Sequence, residues 1–444
     1  MIFPFNTFKN LKTTWFWRSP LDPAQHIDRV IADRSYRLAI GLSLSECLQT
    51  VHGCLLVTQG NGKYLRLKQS VSASREIPQP LTNELKRVAS IAEPSLQDLS
   101  AITADLAQIQ YSLVEELKSH AGRYVDRLLI VACDDPGLWL RDIDQQTVYQ
   151  PICDPVSLAE MCGITVVDSF PTRDIASRGN GKGIHTLPHW LLLADRAEKV
   201  ARNDSVVFAI GDKSTATYLP ASDGLDSEIP EIRTAHGPGL SLLRSIAAAG
   251  RHVSDAQLVQ LNIDGHVNED FLLKLKTVTQ DNSQVFLSEL RSSNLSAADI
   301  VRTGVVFMID SISSSIQQSI AEAKKVARNT PGIYRESDNP KIQVDCSTEL
   351  AGIFINQIQR QWPDCNVTAL DHVGLTSNYL AAASTAILGL LFVDQMPANI
   401  PRITGADSQR ILGRVTPGKP SNWRLLLCEM ADFQPPAMRL RDAV

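Results

Sequence analysis

The sequence predicts an α/β protein, and three observations predict it. Short apolar or β-branched runs of strand length, such as Arg127–Cys133 and Ile164–Val167, alternate with stretches of helical periodicity. The plan of three strands followed by alternating helices and strands occurs twice along the chain. At 444 residues the chain exceeds what one core ordinarily serves, so two domains are expected.

Residues 1–36 read as an N-terminal extension, with an amphipathic helix over Asp22 to Arg34. Three strands then follow at Arg37–Leu44, Val51–Gln59 and Tyr64–Ser74, and Asn61-Gly62 gives the last two a hairpin turn. Past Pro80 the pattern turns helical: Ile102, Leu106, Ile109, Leu113 and Leu117 share one face. Arg127–Cys133 is a buried strand, Ser157–Met161 a short helix ended by Gly163, and Ile164–Val167 the next strand. In the second half, Ser205–Gly211, Thr215–Pro220 and Glu231–Ala235 read as strands, and Gly237-Pro238-Gly239 turns into an apolar helix. Helices fill roughly Asp255 to Arg328. Then come strand Lys341–Cys346, helix Glu349–Gln361, strand Asn366–Leu370 and helix Asn378–Val393.

An apolar content of 44% with 20% charged residues describes a globular chain. A net charge of −5 without clustered basic residues argues against a nucleic-acid partner, and Lys324, Lys325 and Arg328 read as a solvated helix face. The eight cysteines include no C-x-x-C pair, and Cys54, Cys133 and Cys346 lie in apolar runs. Reduced, buried thiols, a cytoplasmic location and no structural metal are therefore expected. The aromatic N-terminus is interrupted by Asn6, Lys9, Lys12 and Arg18, unlike a signal peptide. The longest apolar run, near Ala381 to Val393, is too short to span a bilayer, so no membrane partner is expected.

The chemistry concentrates between Ile164 and Ile184. A buried strand runs into Asp168, then Phe170, Pro171 and an Arg173-Asp174 pair before Gly179, Gly181 and Gly183. A carboxylate past a strand end, followed by loop glycines, presents a general base beside a substrate that backbone must approach closely. The competing reading is an Asp that caps a turn. His185 and His189 lie near enough for a hydrolytic pair, but no Ser or Cys occupies a nucleophile-elbow context, so they read as loop or core residues. Asp134-Asp135 before Pro-Gly reads as a turn rather than a metal site.

This segment resembles the signature of the anhydro-N-acetylmuramic acid kinases, V-V-x-D-F-R-x-x-D-I-A-x-G-G-Q-G-A-P-L. Phe170 matches the Phe, Pro171 replaces the Arg, and Asp174 falls on the catalytic base. Ile175 and Ala176 follow, Gly179 and Gly181 hold two glycines, Asn180 replaces Gln, and Lys182-Gly183 replaces Ala-Pro. The family's first hairpin, I-G-L-M-S-G-T-S-L-D-G-V-D, compares with Ile40 to His52. There Ser45 stands for the hairpin Gly, Glu46 for Thr, Gln49 for the first Asp and His52 for the second. Small residues at that hairpin let backbone amides approach phosphates, and its acids serve the metal.

The remaining motifs divide into lost and kept. S-H-G-Q-T meets Ala132 to Pro136, N-I-G-G-I-A-N-L-T meets Ala209 to Thr217 with only Gly211 kept, and a late glycine run meets Asp345 to Thr348. D-T-G-P-G-N-x-L-x-D meets Ala235 to Arg244, keeping Gly237-Pro238-Gly239 but neither Asp nor the Asn. G-D-P-A-L-I-A-E is nearly intact as Cys153 to Glu160, and N-L-P-S-V-T-G-A as Asn399 to Ala406.

The resemblance implies two actin-like (ribonuclease H-like) lobes around a central cleft, over 37–204 and 205–420, with a tail at 421–444. It implies an ATP-dependent kinase of amino-sugar metabolism that opens a 1,6-anhydro ring and phosphorylates O6 in peptidoglycan recycling. Asp174 would be the base, and Arg173, Gly237, Pro238 and Gly239 would bind substrate. Ser45, Glu46, Cys47, Gln49 and Gly211 would form a degenerate nucleotide site. A muramic-type anhydro sugar is the expected partner; ATP and Mg²⁺ are cofactors if the chain is active, and a homodimer is left open. Degraded phosphate motifs on a kept scaffold imply reduced or lost activity. The alternatives are a pseudokinase that binds a muramic-type sugar or a protein partner, and a structural homo-oligomer subunit.

Overall fold

A computed structural model describes residues 35–45, 48–90, 95–135, 137–141, 147–194, 203–211, 213–221, 231–247, 253–277, 295–328, 339–372 and 375–432. The expected helix at Asp22 to Arg34, and Glu46 and Cys47, lie outside these described residues. The described residues open with β1 (Tyr36–Leu44), β2 (Thr50–Gln59) and β3 (Arg66–Glu76), followed by α1 (Gln79–Ser90) and α2 (Leu96–Ala121). Next come β4 (Leu128–Cys133), a hairpin of β5 (Leu138–Arg141) and β6 (Thr147–Gln150), and α3 (Pro155–Cys162). Then β7 (Thr165–Asp168) leads into α4 (Phe170–Ala176) and α5 (Thr186–Leu193).

The second run comprises β8 (Ser205–Ile210), β9 (Lys213–Leu219), β10 (Arg233–Pro238), α6 (Leu240–Ala247), α7 (Asp255–Asp264), α8 (Glu269–Thr277) and α9 (Ala297–Arg328). It continues through β11 (Lys341–Asp345), α10 (Thr348–Gln361), β12 (Val367–Ala369), and the short pair β13 (Asp371–His372) and β14 (Leu375–Thr376). The described residues end with α11 (Leu380–Val393), α12 (Pro401–Thr404), β15 (Arg414–Thr416) and α13 (Pro420–Asp432).

Both sheets have one topology. β1, β2 and β3 form an antiparallel meander, with β4 parallel beside β1 and β7 parallel beside β4. β8, β9 and β10 repeat the meander, with β11 parallel beside β8 and β12 parallel beside β11. The orders β3-β2-β1-β4-β7 and β10-β9-β8-β11-β12 are the same arrangement used twice. The fold is therefore α/β with two actin-like lobes.

Local chemistry explains the elements. A capping box between Ser95 and Asp98 starts α2, and the expected face of Ile102, Leu106, Leu113 and Leu117 is buried against the first sheet. β3 begins at Arg66 rather than Tyr64 because Gly62–Tyr64 forms a 3-10 turn. β10 runs through Pro238, so Gly237-Pro238 belongs to a strand rather than a turn; β10 is an edge strand, where a missing N–H is tolerated. The described residues of the helical stretch Asp255 to Arg328 form α7, α8 and α9.

One expectation is corrected. Residues 380–432, assigned to the second lobe and the tail, return to the first sheet. α11 packs on β1, β2 and β4, and β15 adds a sixth strand antiparallel to β7. Asn422 of α13 accepts from the Thr165 N–H at 2.7 Å and donates to the Leu128 carbonyl at 2.8 Å, so the supposed tail ties β4 to β7. α11 is apolar all round because it is covered all round.

Among the described residues no helix is long and apolar enough to cross a membrane. Cys54, Cys133, Cys153, Cys162, Cys346 and Cys365 are buried free thiols, and burial pushes Cys54 up to about 12.

The lobes meet where α5 packs on both β3 and β9, and Trp190 Nε1 donates to the Pro220 carbonyl at 2.9 Å. At the far end of the first sheet, Arg37 donates Nη2 to Asp394 Oδ1 (2.7 Å) and Nη1 to Oδ2 (3.1 Å). The Gly62 N–H reaches the same carboxylate at 2.6 Å. This clasp fixes the end of α11 to the β2–β3 turn.

Candidate functional site

In open α/β sheets, ligands gather outside the carboxyl ends of parallel strands. The ends of β1, β4 and β7 are level, with Leu42 opposite Cys133 and Ala132 opposite Val167. At this edge lie Ser45, Asp134-Asp135 and Asp168 with the turn into α4. Ser169 makes that turn with φ of 55°, an uncommon conformation for a residue with a side chain.

Asp174 sits inside α4 and is fully buried. Its Oδ1 accepts from Asn399 Nδ2 at 2.8 Å and its Oδ2 from the Gly181 N–H at 2.9 Å. The Asn399 amide also donates to the Ser408 carbonyl (3.2 Å) and accepts from the Arg410 N–H (2.6 Å), so the C-terminal loop orients this carboxylate. The glycine loop wraps it closely: a side chain at Gly179 would collide with Asp174 itself. Both donors to the carboxylate are neutral. Arg173 lies exposed on the same helix.

The other carboxylates at this edge have structural partners. Asp168 is buried and accepts from Arg414 Nη2 at 2.6 Å and Nε at 3.2 Å. Asp135 accepts from the N–H groups of Gly137 (2.8 Å), Ile152 (2.8 Å) and Cys153 (2.7 Å), as a turn residue does. Burial nevertheless pushes its acid up to about 6. An acid raised on folding adds stability that is complete below its unfolded value near 3.9 and is lost as pH rises through about 6. Relative to Asp135→Asn, the wild type is expected to lose roughly 2–3 kcal/mol between pH 4 and pH 7 in urea unfolding. A flat difference would remove the burial argument.

The histidines do not make a hydrolytic pair with Asp174. His185 Nε2 faces Asp134 Oδ2 at 3.5 Å, and burial lowers His189 to about 3, which keeps it neutral. They are loop and core residues, as the sequence suggests.

The described residues between β1 and β2 bond to one another. Ser45 Oγ accepts from the N–H groups of Gln49 (3.2 Å) and Thr50 (3.0 Å), and the Ser45 N–H donates to the Thr50 carbonyl (2.8 Å). Amides that a glycine would leave for an anion are thus taken by the hydroxyl. Gln49 is exposed, and His52 rests edge-on against Tyr379 with ring centroids 5.5 Å apart.

On the second sheet, Gly211 and the Gly237–Gly239 segment come together: the Leu240 N–H donates to the Gly211 carbonyl at 2.8 Å. The Gly211 N–H is itself bonded to the Lys213 carbonyl at 3.2 Å. Beside them Arg244 pairs with Asp255 (2.9 Å), which also accepts from Ser347 Oγ (2.8 Å). Among the described residues no group of three or more His, Cys, Asp or Glu is placed to hold a metal ion.

Sequence reasoning missed Asn399 as the partner of Asp174, although it lies in a kept motif. It also missed Trp139, whose hairpin carries no strong local signal, and Arg414. A cavity of about 560 Å³ is bordered by Lys63, Leu191, Met396, Ile400, Arg402 and Gln409, between the β2–β3 turn and the loop that carries Asn399.

Two sheets of one strand order, each an antiparallel meander extended by two parallel strands, define the actin-like class. The anhydro-N-acetylmuramic acid kinase profile matches residues 38–277 and 282–418, and the chain belongs to that family. It is 26% identical over 278 residues to the anhydro-N-acetylmuramic acid kinase of Synechococcus elongatus, covering 58% of this chain and 68% of that one. With the Clostridioides difficile enzyme of that name it shares 21% over 405 residues, covering 85% and 98%. Among solved structures it aligns with xylulose kinase from Rhodospirillum rubrum at 12% identity and a TM-score of 0.33, covering 92% of this chain and 99% of that one.

Proposed function

We propose that this family member binds a muramic-type anhydro sugar at the carboxyl edge of its first lobe, with phosphoryl transfer from ATP reduced or lost. The observation that carries the reading is the contrast between two neighbouring features. Asp174 is kept in a built cradle of Asn399 and Gly181, while Ser45 Oγ fills the amides of the phosphate hairpin. With the Gln49 and Thr50 N–H groups already bonded to Ser45 Oγ, these two amides gain little from an arriving phosphate. A cytoplasmic place in peptidoglycan recycling follows from the same reading, as does a role for Gly211 and the Gly237–Gly239 end of β10 as remnants of a ligand-binding edge. If phosphoryl transfer does survive, Asp174 is the base that would deprotonate the water attacking the anomeric carbon.

Titration of the purified protein tests this. ATP with Mg²⁺ is expected to leave the melting transition unmoved, whereas a true ligand at 100 times its dissociation constant adds about 2.7 kcal/mol. The anhydro sugar is expected to bind calorimetrically without ATP. Asp174→Asn should weaken it by about tenfold to a hundredfold, because the buried carboxylate holds the Gly181 N–H and the Asn399 amide that shape the loop beside the sugar. The same change opposes an amide to two donors, so about 1–3 kcal/mol of stability should go with it, and affinity is read on the folded fraction. A saturable ATP shift would restore the active kinase; absence of sugar binding would leave a protein-partner or structural role.

A further inference from the structure

We infer that Trp139 is a stacking platform for the sugar ring and that Lys182 beside it receives an acidic substituent of the same ligand. This rests on the reading that the first lobe's carboxyl edge binds a muramic-type sugar, and adds which side chains recognise it.

Trp139 lies in β5 with 37% of its surface exposed. A single exposed aromatic is ordinary. Its surroundings are not. The indole touches the glycine loop: a Cβ at Gly181 would stand 2.9 Å from the Trp139 ring and 2.8 Å from Ile175. That same Gly181 donates its N–H to Asp174 Oδ2 at 2.9 Å, so one residue separates the indole from the candidate base. Beneath the indole, Tyr149 packs at a 4.8 Å centroid distance and a 58° tilt, and its hydroxyl donates to the Asp135 carbonyl at 2.7 Å. The ring is therefore held in place before any ligand arrives.

A pyranose has a face of C–H groups and a rim of hydroxyls. Laying that face on a fixed indole buries apolar area with little loss of conformational freedom, and leaves the rim for polar partners. Lys182 is exposed and holds its Nζ 5.6 Å from the Trp139 centroid. An exposed cation–π contact is weak, so a ligand can displace the ammonium sideways and pair with it. The chemical class that suits an apolar ring face beside one cation is a pyranose carrying a carboxylate.

Calorimetry and indole fluorescence on the full chain decide it, using anhydro-N-acetylmuramic acid and the carboxylate-free anhydro-N-acetylglucosamine. Trp139→Ala is expected to weaken both sugars at least about tenfold. Trp139→Phe should keep most of the affinity and abolish the fluorescence change seen in wild type. Lys182→Met should erase the preference for the acidic sugar while leaving the neutral one unchanged. Equal affinity in a folded Trp139→Ala, or an unchanged fluorescence response in Trp139→Phe, overturns the platform while the sugar-site reading stands. An unchanged preference in Lys182→Met overturns the cation's role. Absence of binding in wild type removes both the platform and the reading beneath it.

Discussion

Asp394→Ala is expected to cost about 3–5 kcal/mol of folding stability in urea unfolding. The residue is buried and accepts from Arg37 twice and from the Gly62 N–H, and Arg37 is itself only 6% exposed. Truncating the acid leaves an arginine enclosed without its principal counter-charge. The double variant Arg37→Met/Asp394→Leu should recover most of the loss, because two apolar groups leave nothing charged to desolvate. A loss below about 1 kcal/mol in the single variant would mean that water reaches the clasp.

Gly41→Val is the second large effect, at about 4 kcal/mol or more, or failure to accumulate soluble protein. In β1 the Gly41 Cα faces α11, and a Cβ there would overlap the Ala382 carbonyl oxygen and stand 2.6 Å from the Ala386 nitrogen. The obstacle is backbone on a buried helix, which cannot rotate away. Across the contact Gly389 plays the same part for α11, where a Cβ would lie 2.5 Å from Ile130 Cδ1. Gly352→Ala is the control: nothing lies within 4 Å of its would-be Cβ, and it sits inside α10. There alanine should be neutral or stabilising by up to about 1 kcal/mol.

These two contacts also mark the limit of what the sequence discloses. The meanders, β4, β7 and the inner face of α2 were legible because each is written in a local apolar period. The return of α11, β15 and α13 to the first sheet was not, since Asn422 and Thr165 meet across 257 residues with no local sign of pairing. At the candidate site, Asp174 was legible through its motif. Its enclosure was not, because the cradle needs Asn399 from 225 residues away. The replacement of glycine by Ser45 could be read directly. That its hydroxyl would turn back on the hairpin's own amides depends on the turn geometry, which the letters alone do not carry.

The late arrival of β15 has a consequence for how the chain leaves the ribosome. Arg414 pairs with Asp168 over a separation of 246 residues, so synthesis at roughly 5–20 residues per second leaves β7 bare-edged for some tens of seconds. The strands of the second sheet, from Ser205 to Ala369, are all delivered within that interval. The nascent chain therefore carries a second lobe with all its strands while the first still waits for α11 and β15. Of the two lobes, the one whose strands are made first is the last to be finished.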